Sequence, residues 1–345
     1  MSDHLHVALA LDGCGWHPAA WRDPAAAPPG PFAPSHWTAL AAEAERGLAD
    51  FLTLEDALVL QPGTDGNGPV RGRPDMALVA ARLLAATSRI GIVPTVTTLY
   101  TEPARIASAL GTLDRLGRGR TGWRVQAGRR AEAPGFGAEP ARALRPGELD
   151  GTAGLGPLLE QAAGAAREVR RLWRERPPVS PQGQPPVIAL AHAPLPYRFA
   201  ARGADLVMVT PHDREQARSI VGQVRAAEAA EGRTGAPLRV YGDLVVFLDA
   251  ARKARLDALL GAPCPSDAAV FTGTPGELAD LMLDWRDAGL DGFRLRPGVL
   301  PDDLTAITGH VLPELRRRGA FRTAYGAATL RGRLGLARPA GRAAA

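Results

Sequence analysis

Leu5-His-Val-Ala-Leu-Ala-Leu11 is a short apolar run near the start of the chain, and seven further runs of this kind follow it. They lie at Asp50–Leu54, Ile90–Thr97, Gly122–Gln126, Val187–Ala191, Asp205–Val209, Leu238–Phe247 and Gly292–Leu295. Their interiors are almost continuously apolar rather than alternating, which is typical of strands that are covered on both faces of a parallel sheet. The sequence therefore predicts eight buried parallel strands.

Helical patterns occupy the gaps between these runs. Apolar residues recur at helical spacing within 155–173, 217–224 and 302–318. Thr274-Pro-Gly-Glu277 has the composition of a capping box at a helix start, and Gly289 suits the end of the same helix. Strands and helices are therefore expected to alternate along the chain.

This alternation predicts an α/β protein built as a (β/α)8 TIM barrel. A doubly wound sheet is the alternative, but the first turn, Asp12-Gly-Cys-Gly-Trp-His17, lacks the G-x-G-x-x-G spacing that would favour it. We expect one barrel domain over residues 1–337, with irregular segments near 24–35, 128–154 and 175–186 and a frayed tail at 338–345.

The composition is that of an ordinary globular protein, with 46% hydrophobic and 22% charged residues among 345. Two cysteines exclude a disulfide framework, offer no metal-finger spacing and suit a reducing compartment. No apolar run approaches the ~18 residues of a membrane span, and the first residues lack a basic region and a cleavage site. We therefore expect a cytoplasmic protein with no membrane partner and no metal.

The net charge of +5 raises the possibility of a nucleic-acid partner. The positive charges are arginines scattered along the chain, with Lys253 as the only lysine, and no basic run carries interleaved aromatic residues. We therefore expect no nucleic-acid partner. The chain also lacks the G-x-S-x-G, H-E-x-x-H and P-loop motifs, which disfavours those hydrolase and nucleotide-binding classes.

The carboxyl ends of the strands carry function in a barrel, so the residues there are the candidates. Cys14 and His17 follow the first run. They can face a pocket, although a small buried side chain and a surface histidine explain them equally well. Glu55 and Asp56 follow the second run, where carboxylates orient a polar ligand or cap a helix.

The third and fourth runs add hydroxyls and a cation. Thr97 and Thr98 can hydrogen-bond a flat heterocycle, although threonine is also a common strand residue. Arg124 stands inside an apolar strand, where a buried guanidinium needs a partner. That partner is either a carboxylate such as Asp56 or an anionic ligand, and both interpretations stay open.

The fifth run leads into a place where a helix start would meet a phosphate. Pro194 and Pro196 remove two backbone donors there. The side chains of His192, Arg198 or Arg202 are the candidates that would compensate.

Five blocks, in order along nearly the whole chain, resemble flavin-dependent monooxygenases of the bacterial luciferase-like superfamily, in the branch of the nitrilotriacetate, dibenzothiophene-sulfone and long-chain alkane monooxygenases. The blocks are His17-Pro-Ala-Ala-Trp-Arg22; Ala44-Glu-Arg-Gly-Leu-Ala-Asp-Phe51 with Asp56; Ala86-Thr-Ser-Arg-Ile-Gly91 with 95–103 and Thr112-Leu-Asp114; Gly119 to Trp123 with Gly135-Phe-Gly137; and Phe271-Thr-Gly-Thr-Pro275 with Gly292-Phe293, 311–315, 318–322 and 325–336.

The resemblance implies a luciferase-like barrel that uses reduced FMN and dioxygen on a small organic substrate, through a flavin 4a-hydroperoxide. It further implies a separate flavin reductase and a homodimer. By position, Asp56, Thr97 and Thr98 would line the isoalloxazine ring, and His17 and Cys14 would act on the substrate side.

The chain departs from the family pattern at three places. Arg124 stands where the family has Asn, Thr101 stands where it has His, and Leu190-Ala-His-Ala-Pro194 replaces its Gln-Ala-Gly-x-Ser phosphate loop. Arg124 would then meet the polar edge or the phosphate of the flavin, and His192 or Arg198 would replace the missing hydroxyl. Two alternatives remain, namely a deazaflavin-dependent dehydrogenase on the same fold and a non-catalytic barrel that acts as a binding protein.

Overall fold

Eight parallel strands close into a barrel in the computed structural model, which describes residues 4–24, 30–56, 73–127, 152–175 and 180–339. The described residues contain nine strands, of which all but β8 form the barrel: β1 (His6–Leu11), β2 (Phe51–Leu54), β3 (Gly91–Thr97), β4 (Trp123–Gln126), β5 (Val187–Leu190), β6 (Leu206–Val209), β7 (Arg239–Phe247), β8 (Ala269–Thr272) and β9 (Gly292–Pro297). The closed order is β1-β2-β3-β4-β5-β6-β7-β9, and β9 pairs back to β1. The expected TIM barrel is confirmed.

Helices follow the strands around the outside of the barrel. They are α1 (Pro34–Arg46), α2 (Met76–Ala86), α3 (Pro103–Leu116), α4 (Thr152–Glu175), α5 (Pro194–Gly203), α6 (Arg214–Ala230), α7 (Ala250–Leu260), α8 (Pro275–Asp287), α9 (Asp302–Ala306), α10 (Leu312–Arg317) and α11 (Leu330–Arg333). A π-helical turn at Ile307–Val311 joins α9 to α10, so the last predicted helix is continuous. The capping box of α8 is present, because Thr274 accepts from Glu277 N and Glu277 Oε2 accepts from Thr274 N at 2.8 Å.

All eight predicted runs coincide with barrel strands, whereas β8 was not predicted. Strand β6 ends at Val209, so the second half of β7 is not paired with it. The strand β8 pairs with that half, from Leu244 to Phe247. Residues of β8 alternate between half-buried and exposed, so the strand lacks the continuous apolar signal of the other eight. The result is a short strand outside the closed barrel, close to the carboxyl end of β6.

The irregular segments fall mostly beyond the described residues. Residues 128–151, 176–179 and 340–345 lie outside them, as do 25–29 within the segment predicted at 24–35. Residues 180–186 contain neither helix nor strand, as expected, and α4 begins at Thr152, before the predicted end of the irregular segment at 154.

The barrel interior has two halves of different chemistry. We call the end where the strands begin the base, and the end where they finish the mouth. The half toward the base is apolar and is closed from below by α11 and the residues after it; its members are Ala8, Phe51, Val93, Ile188, Leu206, Met208, Tyr241, Leu330, Leu334 and Leu336. The half toward the mouth carries charged side chains. Among the described residues, none of the helices combines the length and the apolar composition that a membrane span requires.

A buried carboxylate ties the base together. Asp50 lies directly before β2, and its Oδ1 is 3.2 Å from His6 Nδ1 and 2.5 Å from Arg322 Nη2. Its Oδ2 accepts from Val7 N at 2.8 Å. Burial raises the pKa of Asp50, but His6 and Arg322 outweigh burial and bring the pKa to about 2. This end of the barrel therefore holds an ionised carboxylate that contributes to stability, as is usual for the base of such barrels.

Candidate functional site

Arginines and carboxylates fill the half of the barrel toward the mouth. Six of the described residues form a cluster that we call the mouth network: Glu55, Arg124, Asp243, Asp267, Arg294 and Arg296. At its centre Arg294 binds Asp243 twice, from Nε to Oδ1 at 2.9 Å and from Nη2 to Oδ2 at 2.8 Å. Its Nη1 donates to Glu55 Oε1 at 3.1 Å. Such a fork-to-fork pair fixes both side chains in position, which suits a buried site.

Arg124 finds its partner within the barrel. Its Nη2 donates to Glu55 Oε2 at 2.6 Å, and its Nε donates to Thr95 Oγ1 at 2.7 Å. The partner is thus a carboxylate, but it is Glu55 rather than Asp56. Side chains alternate along a strand, so Glu55 continues the inward face of β2, whereas Asp56 Oδ2 accepts from Met76 N at the start of α2. Burial raises the pKa of Glu55, but Arg124 and Arg294 outweigh it and hold the pKa below its usual value.

Arg296 links the network to the outside. It donates to Asp243, and its Nη1 lies 2.6 Å from Asp267 Oδ1. Its guanidinium carbon lies 4.5 Å from the ring centre of Trp16, whose Nε1 is buried and has no hydrogen-bond partner among the described residues. Asp267 comes from the segment before β8, and its side chain is 47% exposed. Burial raises the pKa of Asp267, but Arg296 outweighs burial and brings the pKa to about 2.

His192 borders the exposed end of the network. Its Nδ1 lies 3.0 Å from Thr210 Oγ1 and its Nε2 lies 3.3 Å from Asp267 Oδ2. Partial burial lowers the pKa of His192 against the pull of Asp267, so the ring is neutral near pH 7. The structure therefore places this predicted residue at the mouth, after β5.

Three further predicted residues lie side by side at the rim. Thr98 donates from N to Gln126 O at 2.9 Å and from Oγ1 to the same oxygen at 3.2 Å. Thr97 Oγ1 accepts from Leu99 N at 3.3 Å, and Gln126 Nε2 donates to Asp56 O at 3.2 Å. The ends of β2, β3 and β4 are thereby joined into one sector of the mouth.

Arg198 lies away from this sector. It is on α5, its side chain is 51% exposed, and its Nε is 2.5 Å from Glu231 Oε1. Glu231 follows the end of α6. Because the helices run antiparallel to the strands, that end is near the base of the barrel. The structure thus brings Asp56, Thr97, Thr98, Arg124 and His192 together at the mouth and leaves Arg198 outside.

His17 and Cys14 are part of the packed wall beside the mouth. His17 is buried, its Nδ1 accepts from Ala19 N at 3.0 Å, and its Nε2 lies 3.0 Å from Asp257 Oδ1. The ring proton is therefore on Nε2 and is donated to Asp257. Cys14 is also buried, and burial, with help from Asp12, raises the pKa of its thiol to about 11. Both ring nitrogens are engaged, and the thiol stays protonated at neutral pH.

The sequence interpretation did not single out Asp243, Asp267, Arg294, Arg296 or Trp16. A signal for three of them exists, since Asp243 interrupts an apolar strand and Arg294 and Arg296 alternate within Gly292–Pro297. This is the same reasoning that pointed to Arg124. Asp267 and Trp16 lie outside the predicted strands and carry no such signal. No group of three or more His, Cys, Asp or Glu that could hold a metal ion occurs among the described residues.

Known proteins resemble this chain in sequence over nearly its whole length. A family model described as luciferase-like monooxygenase matches residues 14–270. Nitrilotriacetate monooxygenase component A of Aminobacter aminovorans is 26% identical over 442 aligned positions that cover 97% of this chain and 97% of that protein. N-acetyl-S-(2-succino)cysteine monooxygenase of Bacillus subtilis (strain 168) is 26% identical, and the alignment covers 98% of this chain and 98% of that protein.

A solved structure shares the fold. EDTA monooxygenase from Chelativorans sp. BNC1 superimposes with a TM-score of 0.81 at 22% identity, over 97% of this chain and 99% of that chain. The alignment of 442 positions with nitrilotriacetate monooxygenase component A exceeds the 345 residues of this chain, so segments of that protein have no counterpart here.

Proposed function

The chain belongs to the luciferase-like monooxygenase family, and on that premise we propose that it uses reduced FMN and dioxygen to oxygenate a small organic substrate at the barrel mouth. The observation that carries this proposal is the position of the five predicted residues from β2 to β5, which form one continuous sector of the mouth. The mouth network lies beneath them.

Trp16, in the turn after β1, offers a hydrogen-bond donor that suits the ring of a flavin. Trp16 Nε1 is a buried donor in need of an acceptor, and it lies beside the Arg296 guanidinium. The polar edge of an isoalloxazine ring presents carbonyl oxygens and ring nitrogens that accept hydrogen bonds. An unsatisfied buried donor is costly, so a ligand that supplies the acceptor is stabilised by it.

In the described part of the chain, few hydrogen-bond donors are available for the phosphate of the cofactor. The N-terminus of α5 begins at Pro194, and Pro196 follows, so two of its first N–H groups are missing. Of the three residues expected to meet the phosphate, His192 lies at the mouth, whereas Arg198 and Arg202 both pair with Glu231. We propose that His192 meets the phosphate.

The residues of this chain would bind and orient the cofactor and keep water out. Arg124 is held rigidly by Glu55 and Thr95, which suits it to position the flavin from below. Asp56, Thr97 and Thr98 would define the rim against which the ring rests. The apolar lower half of the barrel closes the floor against water, which protects reactive chemistry from side reactions. When bound, reduced FMN supplies the electrons that activate dioxygen.

His17 and Cys14 take a positioning role in this proposal rather than one in proton transfer. The imidazole joins the turn after β1 to α7 through Asp257, and the thiol packs behind it. The turn that carries this pair also carries Trp16, whose N donates to Pro297 O at 3.0 Å.

The proposal includes a separate flavin reductase, a homodimer and a location in the cytoplasm. Both cysteines are free and buried, which supports a reducing compartment.

The test follows the reaction of bound reduced FMN with oxygen. The protein is loaded anaerobically with reduced FMN and mixed with aerated buffer in a stopped-flow spectrophotometer. We expect a reoxidation time course that differs from that of free FMN and that saturates with protein concentration. A time course identical to that of free FMN at every protein concentration contradicts the proposal. Hydride transfer to or from a deazaflavin without oxygen uptake would support the dehydrogenase alternative instead.

A further inference from the structure

Asp267 is the outermost member of the mouth network. Its side chain is 47% exposed, whereas that of Asp243 is fully buried and that of Glu55 is 10% exposed. It enters the barrel from the segment before β8, where β6 has ended and left an edge of β7 free. The other two carboxylates are fixed on or next to barrel strands, but Asp267 approaches from outside them.

The carboxylate of Asp267 covers the outward side of Arg296. Arg296 holds Asp243 on its inner side and Asp267 on its outer side, and its own side chain is only 1% exposed. Trp16 lies against the guanidinium with its indole N–H unpartnered among the described residues. Without Asp267, the outer side of the Arg296 guanidinium would lose its carboxylate partner. A guanidinium that has lost its partner is a group that a ligand carboxylate binds.

The charges of the network are already balanced. Among the described residues, the three guanidinium groups of Arg124, Arg294 and Arg296 meet three carboxylates within hydrogen-bonding distance. An anionic ligand would meet the negative charge of Asp267 before it met Arg296, and it would have to displace an internal pair of good geometry. An uncharged ligand meets no such opposition.

The surroundings do not reverse this balance. Arg73 at the rim is paired with Asp12 at 3.1 Å, and Asp56 adds a further carboxylate at the end of β2. The described part of the mouth therefore carries no excess of positive charge that would draw in a polyanion.

We propose that Asp267 determines the charge specificity of the mouth: it occupies the outer side of Arg296 as an internal carboxylate, so that the site takes uncharged organic ligands and rejects carboxylates. This rests on the proposed function only in placing the substrate at the mouth. The carboxylate of Asp267 opposes anionic ligands, and a protein can obtain specificity by opposing the wrong ligand as well as by binding the right one.

The test is a calorimetric titration with succinate, without flavin or oxygen. Wild-type protein is expected to give no saturable heat. Asp267→Asn removes the charge and weakens the pair with Arg296, so succinate should give saturable heat, with a Kd at least about tenfold below the weakest that the titration can detect. The double variant Asp267→Asn/Arg296→Gln should lose that binding. Asp284→Asn removes one negative charge from an exposed pair with Arg214 and should behave as the wild type does.

Two results would overturn the proposal. One is a wild type that binds succinate as tightly as Asp267→Asn does. The other is an Asp267→Asn variant that melts cooperatively near the wild-type temperature but gains no succinate binding. If Asp267→Asn does not fold, Asp267→Ser takes its place with the same expectations. Because the assay requires no flavin, its outcome is independent of whether the monooxygenase proposal holds.

Discussion

Arg124 Nη2 lies 2.6 Å from Glu55 Oε2 inside the barrel, and this pair joins β4 to the end of β2. Both side chains are nearly buried, and Glu55 is shared with Arg294. Removal of one member leaves a buried charge with fewer partners, which is the costly way to break such a pair. The mouth network is therefore expected to behave as one unit in stability and in binding.

Arg124→Ala should destabilise the protein by about 3 kcal/mol, because Glu55 loses one of its two guanidinium partners in a buried setting. The free energy of unfolding from urea titration measures this. Arg214→Ala breaks an exposed ion pair with Asp284 and should change the same quantity by less than about 1 kcal/mol. Equal losses of unfolding free energy in the two variants would contradict the expectation that the buried pair stabilises the protein more than the exposed pair does.

The same Arg124→Ala substitution should weaken the binding of reduced FMN, since the cofactor is expected to rest on this side chain. The measurement is an anaerobic titration at a temperature where the variant is folded by circular dichroism. An affinity equal to that of the wild type would remove Arg124 from the cofactor site.

Asp50 should make the protein sensitive to acid. Its pKa is about 2 in the folded protein against 3.8 for the free side chain, so its contribution is fully present above about pH 4 and is lost as the pH falls toward 2. The shift corresponds to about 2 kcal/mol. We expect Asp50→Asn to be less stable than the wild type at pH 5, and the difference to narrow as the pH falls. A difference that stays constant between pH 5 and pH 2.5 would show that the ion pair with Arg322 is not its source.

The two thiols should be inert in the folded protein. Burial raises the pKa of Cys14 and of Cys264 to about 11, so almost no thiolate exists at pH 7.5. Ellman's reagent should label both cysteines only after unfolding. Cys14→Ala should keep the oxygen reactivity of bound reduced FMN. Rapid labelling of native protein at Cys14, together with loss of that reactivity in the variant, would return Cys14 to a catalytic role.

The barrel was predictable from the sequence because its strands are covered on both faces. Burial on both sides leaves runs such as Leu238–Phe247 almost continuously apolar, and these runs coincide with the eight barrel strands. The strand β8 was not predictable in this way. Val270 and Thr272 are exposed, so its pattern does not differ from that of a loop.

The site was predictable only in part. A lone arginine in an apolar strand indicated that Arg124 needs a partner, but the identity of that partner depends on which side chains face inward across the barrel. Glu55 and Asp56 are adjacent in sequence and face different directions, and only the pairing of β2 with its neighbours distinguishes them. Arg198 illustrates the opposite difficulty, because one helical turn decides whether a side chain reaches the mouth or the neighbouring helix.

Whether the barrel binds FMN is decided by an anaerobic titration of wild-type protein with oxidised and with dithionite-reduced FMN, followed by tryptophan fluorescence. We predict saturable quenching by reduced FMN, with a smaller amplitude in Trp16→Phe because that ring lies against Arg296 of the mouth network. Absence of saturable quenching in both redox states would contradict this prediction and would favour a barrel that binds another ligand.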